Sequence, residues 1–236
     1  MRFLSFAVLA TFAMVSAQKV IPVQVGGNPG SPGGVTVFSP SQISANNNDI
    51  ISFQFSGVPG NHSVTQSSFL NPCEPLDKGF DSGWVSVPQN LSSVPEWNVT
   101  ITNDTAPIWF YCKQLLSKTD PVKPHCNLGM VGVINIEKGQ KSFSDFLASA
   151  SAAPTVGQAE GAFVGVGASA TGAPSLPSGA AYFGGSAAAG DSGNGATPTS
   201  PGAPPASSTP AGSGFANKAS SGVVLLATLF GIVVAM

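Results

Sequence analysis

His62, Cys112, His125 and Met130 are the residues of this sequence whose types and spacing could do chemistry. They stand in two blocks, Gly60-Asn61-His62-Ser63-Val64 and Tyr111-Cys112, the latter followed by His125-Cys126-Asn127-Leu128-Gly129-Met130. The chain has two histidines, and both fall here. Two imidazoles, one thiolate and one thioether make a soft set of nitrogen and sulfur donors. Such a set suits one copper ion cycling between its two oxidation states, with the thioether as a long, weak axial ligand. Magnesium and calcium call for oxygen donors. Zinc accepts imidazole and thiolate but rarely thioether.

Donors so far apart in sequence need a scaffold, and the pattern around them has period two. Val23 and Val25 flank Gln24, and Val35 and Val37 flank Thr36. Ile51, Phe53 and Phe55 alternate with Ser52 and Gln54; Trp97, Val99 and Ile101 alternate with Asn98 and Thr100. Ile108 to Tyr111 is a bulky run, and Val131, Val133 and Asn135 oppose Gly132, Ile134 and Ile136. Turn signals separate these runs: Gly26-Gly27-Asn28-Pro29-Gly30, Asn46-Asn47-Asn48-Asp49, Pro59-Gly60-Asn61 and Asn103-Asp104. Short strands at regular spacing with polar turns predict an all-β sandwich. Phe143, Phe146 and Leu147 have helical spacing and predict one short helix capping it.

The chain ends read as addresses. Met1-Arg2, an apolar run from Phe3 to Val15 and the small residues Ser16-Ala17 predict a secretory signal peptide over 1–17, with Gln18 first in the mature chain. Val223 to Met236 is apolar and uncharged, shorter than the roughly 20 residues of a spanning helix. With the small residues before it, this segment predicts a GPI-attachment signal over 214–236, with Asn217, Ser213 or Gly214 as attachment site. Between 149 and 213 the chain is mostly Ala, Gly, Ser, Pro and Thr. Such a stretch buries too little apolar surface to offset its conformational entropy, and predicts a disordered, O-glycosylated stalk. That leaves 18–148 as the folded domain. The net charge of −2 includes no basic stripe, which excludes nucleic acid as partner.

Three cysteines in a secreted domain leave one over when a pair is oxidised. The odd one is either an accidental free thiol or Cys112, reserved as the metal thiolate. Here the blocks Pro59 to Cys73 and Pro107 to Ile136 resemble the phytocyanin-type cupredoxins, and most of all the GPI-anchored cupredoxin-domain proteins of fungal cell surfaces. The resemblance covers most of the folded domain and none of the stalk. It implies a cupredoxin-like Greek-key β-sandwich holding one type 1 copper through His62, Cys112, His125 and Met130, with a disulfide between Cys73 and Cys126. One departure stands out. Lys113 to Pro124 is longer than the tight ligand loop usual in cupredoxins and must bulge away while its ends converge. Loop closure cost grows slowly with length, so a site can survive this.

Sequons occur at Asn61, Asn90, Asn98 and Asn103. Asn98 lies on the polar face of its strand, whereas a glycan on Asn61 would crowd the neighbouring ligand. The function expected is that of a monomeric, cell-surface copper protein passing single electrons, with one imidazole edge near the surface and a redox partner that the sequence does not identify. The alternative is a structural or adhesive wall protein on the same scaffold with little or no metal. Catalysis is not expected. A histidine brace needs His at the mature N-terminus, a multicopper oxidase needs more histidines, and a Cys112–His125 hydrolase leaves the Gly129-Met130 pair unexplained.

Overall fold

β-branched and aromatic residues alternate with polar ones in several short runs of this chain, and those runs become strands. The computed structural model describes residues 17–28, 30, 34–57, 60–115 and 123–184. Ten strands come first: β1 (Val20–Val25), β2 (Phe38–Ser39), β3 (Gln42–Ile43), β4 (Ile50–Phe55), β5 (Gly60–His62), β6 (Thr65–Ser67), β7 (Trp84–Val87), β8 (Glu96–Ile101), β9 (Ile108–Tyr111) and β10 (Val131–Ile134). Helix α1 (Phe143–Ser151) and strands β11 (Ala168–Ala170) and β12 (Ala181–Phe183) follow. The signal peptide apart from Ala17, the attachment candidates Ser213, Gly214 and Asn217, and the apolar tail lie outside the described residues. Among the described residues no helix is long and apolar enough to cross a membrane.

One sheet has the order β11-β8-β4-β1-β2, a second β3-β10-β9-β6 and a third, smaller one β12-β7-β5. β1 and β4 run parallel with Val23 beside Phe53, and β4 pairs antiparallel with β8, Phe53 opposite Trp97. Their apolar faces meet Ile108, Phe110 and Ile134 of the second sheet in one core. Phe110 stands edge-on to Phe38 and Phe53, with ring centroids 5.0 and 5.4 Å away. Gly132 is its floor, since a Cβ there would come within 2.3 Å of the Phe110 ring. A larger residue would push that ring into the core.

Alternation fails on β9 and β10, whose residues are all buried. Their inner faces belong to the sandwich core. Trp109, Tyr111, Val131 and Val133 form a separate outer cluster with Phe146 and Ala150 of α1. The expected capping helix is therefore a third layer over this sheet. Ser142 starts it, its Oγ accepting from the N–H groups of Ser144 and Asp145, with Asp145 in the first turn beside the positive end of the dipole.

Two expectations are corrected. Val35 to Val37 form no strand: the chain turns through 34–36, and Gly34 has φ 60. From this segment Phe38 and Ser39 pair with β1. The larger correction concerns the stalk. Residues 149–184 are folded onto the sandwich, so the domain boundary at 148 is wrong, and only 185–213 of the predicted stalk falls outside the described residues. β11 adds an edge to the first sheet by pairing with β8, and β12 pairs with β7. Val156, Phe163, Ala168 and Ala170 are buried. A segment of this composition cannot build a core of its own, but here it borrows one that already exists. Small side chains are an advantage there because they let backbone lie close against backbone.

Candidate metal centre

Strand register brings the two blocks together. His62 ends β5, pairing with Val85 of β7, and the chain turns through Ser63 and Val64 so that Thr65 of β6 pairs with Tyr111 of β9. That turn lies at the end of β9, where Cys112 follows. Tyr111 is also opposite Val131 of β10, which brings Met130 alongside Cys112. The Cys112 N–H donates to the Met130 carbonyl at 3.0 Å, and the Met130 N–H to the His125 carbonyl at 2.9 Å. Gly129, at φ 89, folds the 125–129 turn back on itself.

The donor atoms of His62, Cys112 and His125 all lie within 4.8 Å of one another. Cys112 Sγ is 3.5 Å from His125 Nδ1 and accepts the Ser63 N–H at 3.3 Å. The two imidazole centroids are 5.1 Å apart. Met130 is fully buried next to this cluster in sequence and in backbone bonding. Both imidazoles are buried, His62 at 1% exposure and His125 at 4%. All four sequon asparagines are exposed.

His62 gives the test of fit. Among the described residues neither its Nδ1 nor its Nε2 has a hydrogen-bond partner. Buried polar atoms are nearly always paired, so an orphaned imidazole beside a thiol and a second imidazole is what a soft metal ion would complete. Three glycines make room for the ring. A Cβ on Gly26, Gly57 or Gly60 would stand 2.6, 2.8 or 2.7 Å from His62 Nε2. Burial, then the nearby His125, pushes the His62 pKa down to about 3. Burial pushes the Cys112 thiol up to about 11, partly offset by N–H bonds from Gln114 and Ser63. A bound cation reverses that second effect by displacing the thiol proton.

The His62 shift predicts an acid-sensitive metal-free protein. Its folded pKa lies below the ordinary imidazole value of about 6.5, so the unfolded chain takes up the proton first as pH falls. The contribution is complete above about pH 6.5 and is lost toward about pH 3, at about 1.4 kcal/mol per pH unit. Denaturant titrations across that window should show a shallower slope in His62→Gln than in the wild type. Equal slopes would reject the assignment.

Cys73 and Cys126 are joined, with an S–S distance of 2.01 Å and Cα atoms 5.9 Å apart, and Cys112 is the free cysteine. The bond links the loop after β6 to the residue beside His125. The sequence did not single out the three glycines, the Ser63 N–H on Cys112, or the buried pair of Asp81 with Lys113, whose carbonyl accepts from Gln158. A Lys directly after an aromatic strand reads as solvent-facing, and Gln158 sits in a stretch without apparent structure, so neither carried a signal.

No family model matches this chain. A protein of Arthroderma benhamiae named "Probable GPI-anchored cupredoxin-1" is 38% identical over 130 residues, which span 54% of this chain and 58% of that relative's length. Among solved structures, a purple cupredoxin from Nitrosopumilus maritimus matches with TM-score 0.33 and 11% identity over 48% of this chain and 96% of its own. A pseudoazurin from Methylobacterium extorquens matches with TM-score 0.32 and 19% identity over 58% of this chain and 87% of its own. The chain is thus similar to a cupredoxin over about half its length.

Proposed function

We propose that this protein binds one copper ion as a type 1 centre through His62, Cys112, His125 and Met130, and carries single electrons at the cell surface. The observation that carries the reading is the buried convergence of two imidazoles and one thiol within 4.8 Å, with both His62 nitrogens unpartnered. The sequence relative supports it by name. Copper would supply a one-electron couple. The chain's part is to hold the donors before the metal arrives and to keep water out. His62 is fixed by its glycine walls, Cys112 by the Ser63 N–H, and Met130 by the backbone bonds joining Cys112 to His125. Preorganisation of this kind limits rearrangement when charge changes. A Cys–His hydrolase fits less well, because Cys112 has no exposure and its thiol is pushed up to about 11, where an enzyme nucleophile needs access and a lowered pKa.

Titrating the secreted protein with cupric ion should give an intense visible thiolate-to-copper band that saturates at one equivalent. A weak, peptide-like spectrum would leave the adhesive, metal-poor scaffold as the better reading. Surface display rests on the terminal segments and on the relative's name. Phosphatidylinositol-specific phospholipase C should release the protein from membranes, and recovery of the peptide Val223 to Met236 from the mature protein would overturn the anchor.

A further inference from the structure

Lys113 follows Cys112 and opens the long loop, yet its side chain is fully buried, and its Nζ donates to an equally buried Asp81. Nζ also lies 4.0 Å from the ring centroid of Trp84 on β7, the strand that pairs with His62's own. Asp81 is saturated. Oδ1 accepts from Thr65 Oγ1 at 3.1 Å and the Gly83 N–H at 2.9 Å, and Oδ2 accepts from the Gly161 N–H at 3.0 Å as well as from Lys113. The Lys113 backbone is held at both ends. Its N–H donates to Ser63 Oγ at 2.9 Å, and its carbonyl accepts from Gln158 Nε2 at 2.8 Å. Ser63 bonds Thr65 through its hydroxyl and supplies the N–H on Cys112 Sγ.

Burying two charges is costly, and even a well-paired ion pair contributes little net stability against an apolar replacement. Its better-attested use is to specify one arrangement among several. Here there is a need for that. Cys112 and His125 are 13 positions apart, and only the His125 N–H bond to the Gln114 carbonyl at 2.8 Å ties the described ends of their connection to each other directly, against a closure cost that grows with length. The bonds above fasten the first residue of that connection to the turn after His62, and the 156–161 segment closes over them. We propose that Asp81 and Lys113, roofed by Gln158 and Gly161, are the positioning residues that hold the Cys112 sulfur against the His62–Ser63 turn, doing what a short ligand loop does elsewhere.

The test uses the full secreted protein. Asp81→Asn with Lys113→Met removes both charges at similar volume. Gln158→Ala removes the bond to the Lys113 carbonyl, together with the local bonds to the Val156 and Gly157 carbonyls, and carries the test if the double variant does not fold. Val99→Ala, a core truncation on β8 that touches none of these bonds, is the control for lost stability. In metal-free protein, a soluble aromatic disulfide reagent should label Cys112 about tenfold faster in the positioning variants than in the control at matched thermal stability. After cupric ion is added, their charge-transfer band should shift relative to wild type while that of Val99→Ala does not. Labelling that merely follows melting temperature, with an unshifted band, would overturn the proposal. The optical arm rests on the copper reading and the labelling arm does not. A wild type without a band, together with faster labelling in the variants, would overturn the copper site and leave the positioning role standing.

Discussion

Cys112→Ser is expected to abolish the visible charge-transfer band and to weaken cupric binding by about 100-fold or more, the upper end of what loss of a mere supporting partner costs. Under the proposed reading the thiolate would be the donor whose orbital overlap produces the band, and the hydroxyl that replaces it neither ionises nor matches copper in softness. The fold should survive, because oxygen for sulfur leaves the side-chain shape nearly unchanged and the Ser63 N–H still finds an acceptor. Met130→Leu should act differently. It keeps a buried apolar side chain of similar volume and removes only the thioether that would be a weak donor under the proposed reading, so the band should persist with altered energy. Far-ultraviolet circular dichroism beside the copper titration separates loss of site from loss of fold. A Cys112→Ser protein that retained the band would eliminate Cys112 as a ligand.

Ending the domain at residue 148, where composition places the boundary, should prevent it from folding cooperatively, whereas 18–184 should fold. The shorter chain loses part of α1, which covers Trp109 and Val133. It loses β11, baring the β8 edge, and the Gly172 carbonyl that accepts the Trp97 Nε1–H at 2.9 Å. It loses the Gly157 carbonyl that accepts the buried Tyr111 hydroxyl at 2.9 Å. Val156 and Phe163 together stand for about 3–6 kcal/mol of apolar burial, a large share of the about 5–15 kcal/mol by which a domain is stable. The disulfide would not compensate, since it restrains the unfolded chain without refilling the core. Thermal unfolding of the two chains reads the difference directly. Matching cooperative transitions would show that 149–184 is only an accessory.

Much of this was legible in the sequence because it depends on local pattern. Period-two alternation placed β1, β4 and β8, and helical spacing placed α1. Residue chemistry singled out His62, Cys112 and His125, which converge, and the resemblance paired Cys73 with Cys126, which are joined. Donor type is a property of single side chains, so it survives any error about the fold. What only tertiary structure decided depends on what lies across space. Whether β10 has one buried face or two depends on where α1 docks. Whether an Ala-, Gly- and Ser-rich stretch is coil or part of a domain depends on whether another core offers it a surface, which composition cannot encode. Lys113 reads as a solvated charge until Asp81, Trp84 and Gln158 surround it, and those partners come from segments up to 45 positions away. The energy of a buried charge is set by its neighbours, so its role emerges only when the chain has closed around it.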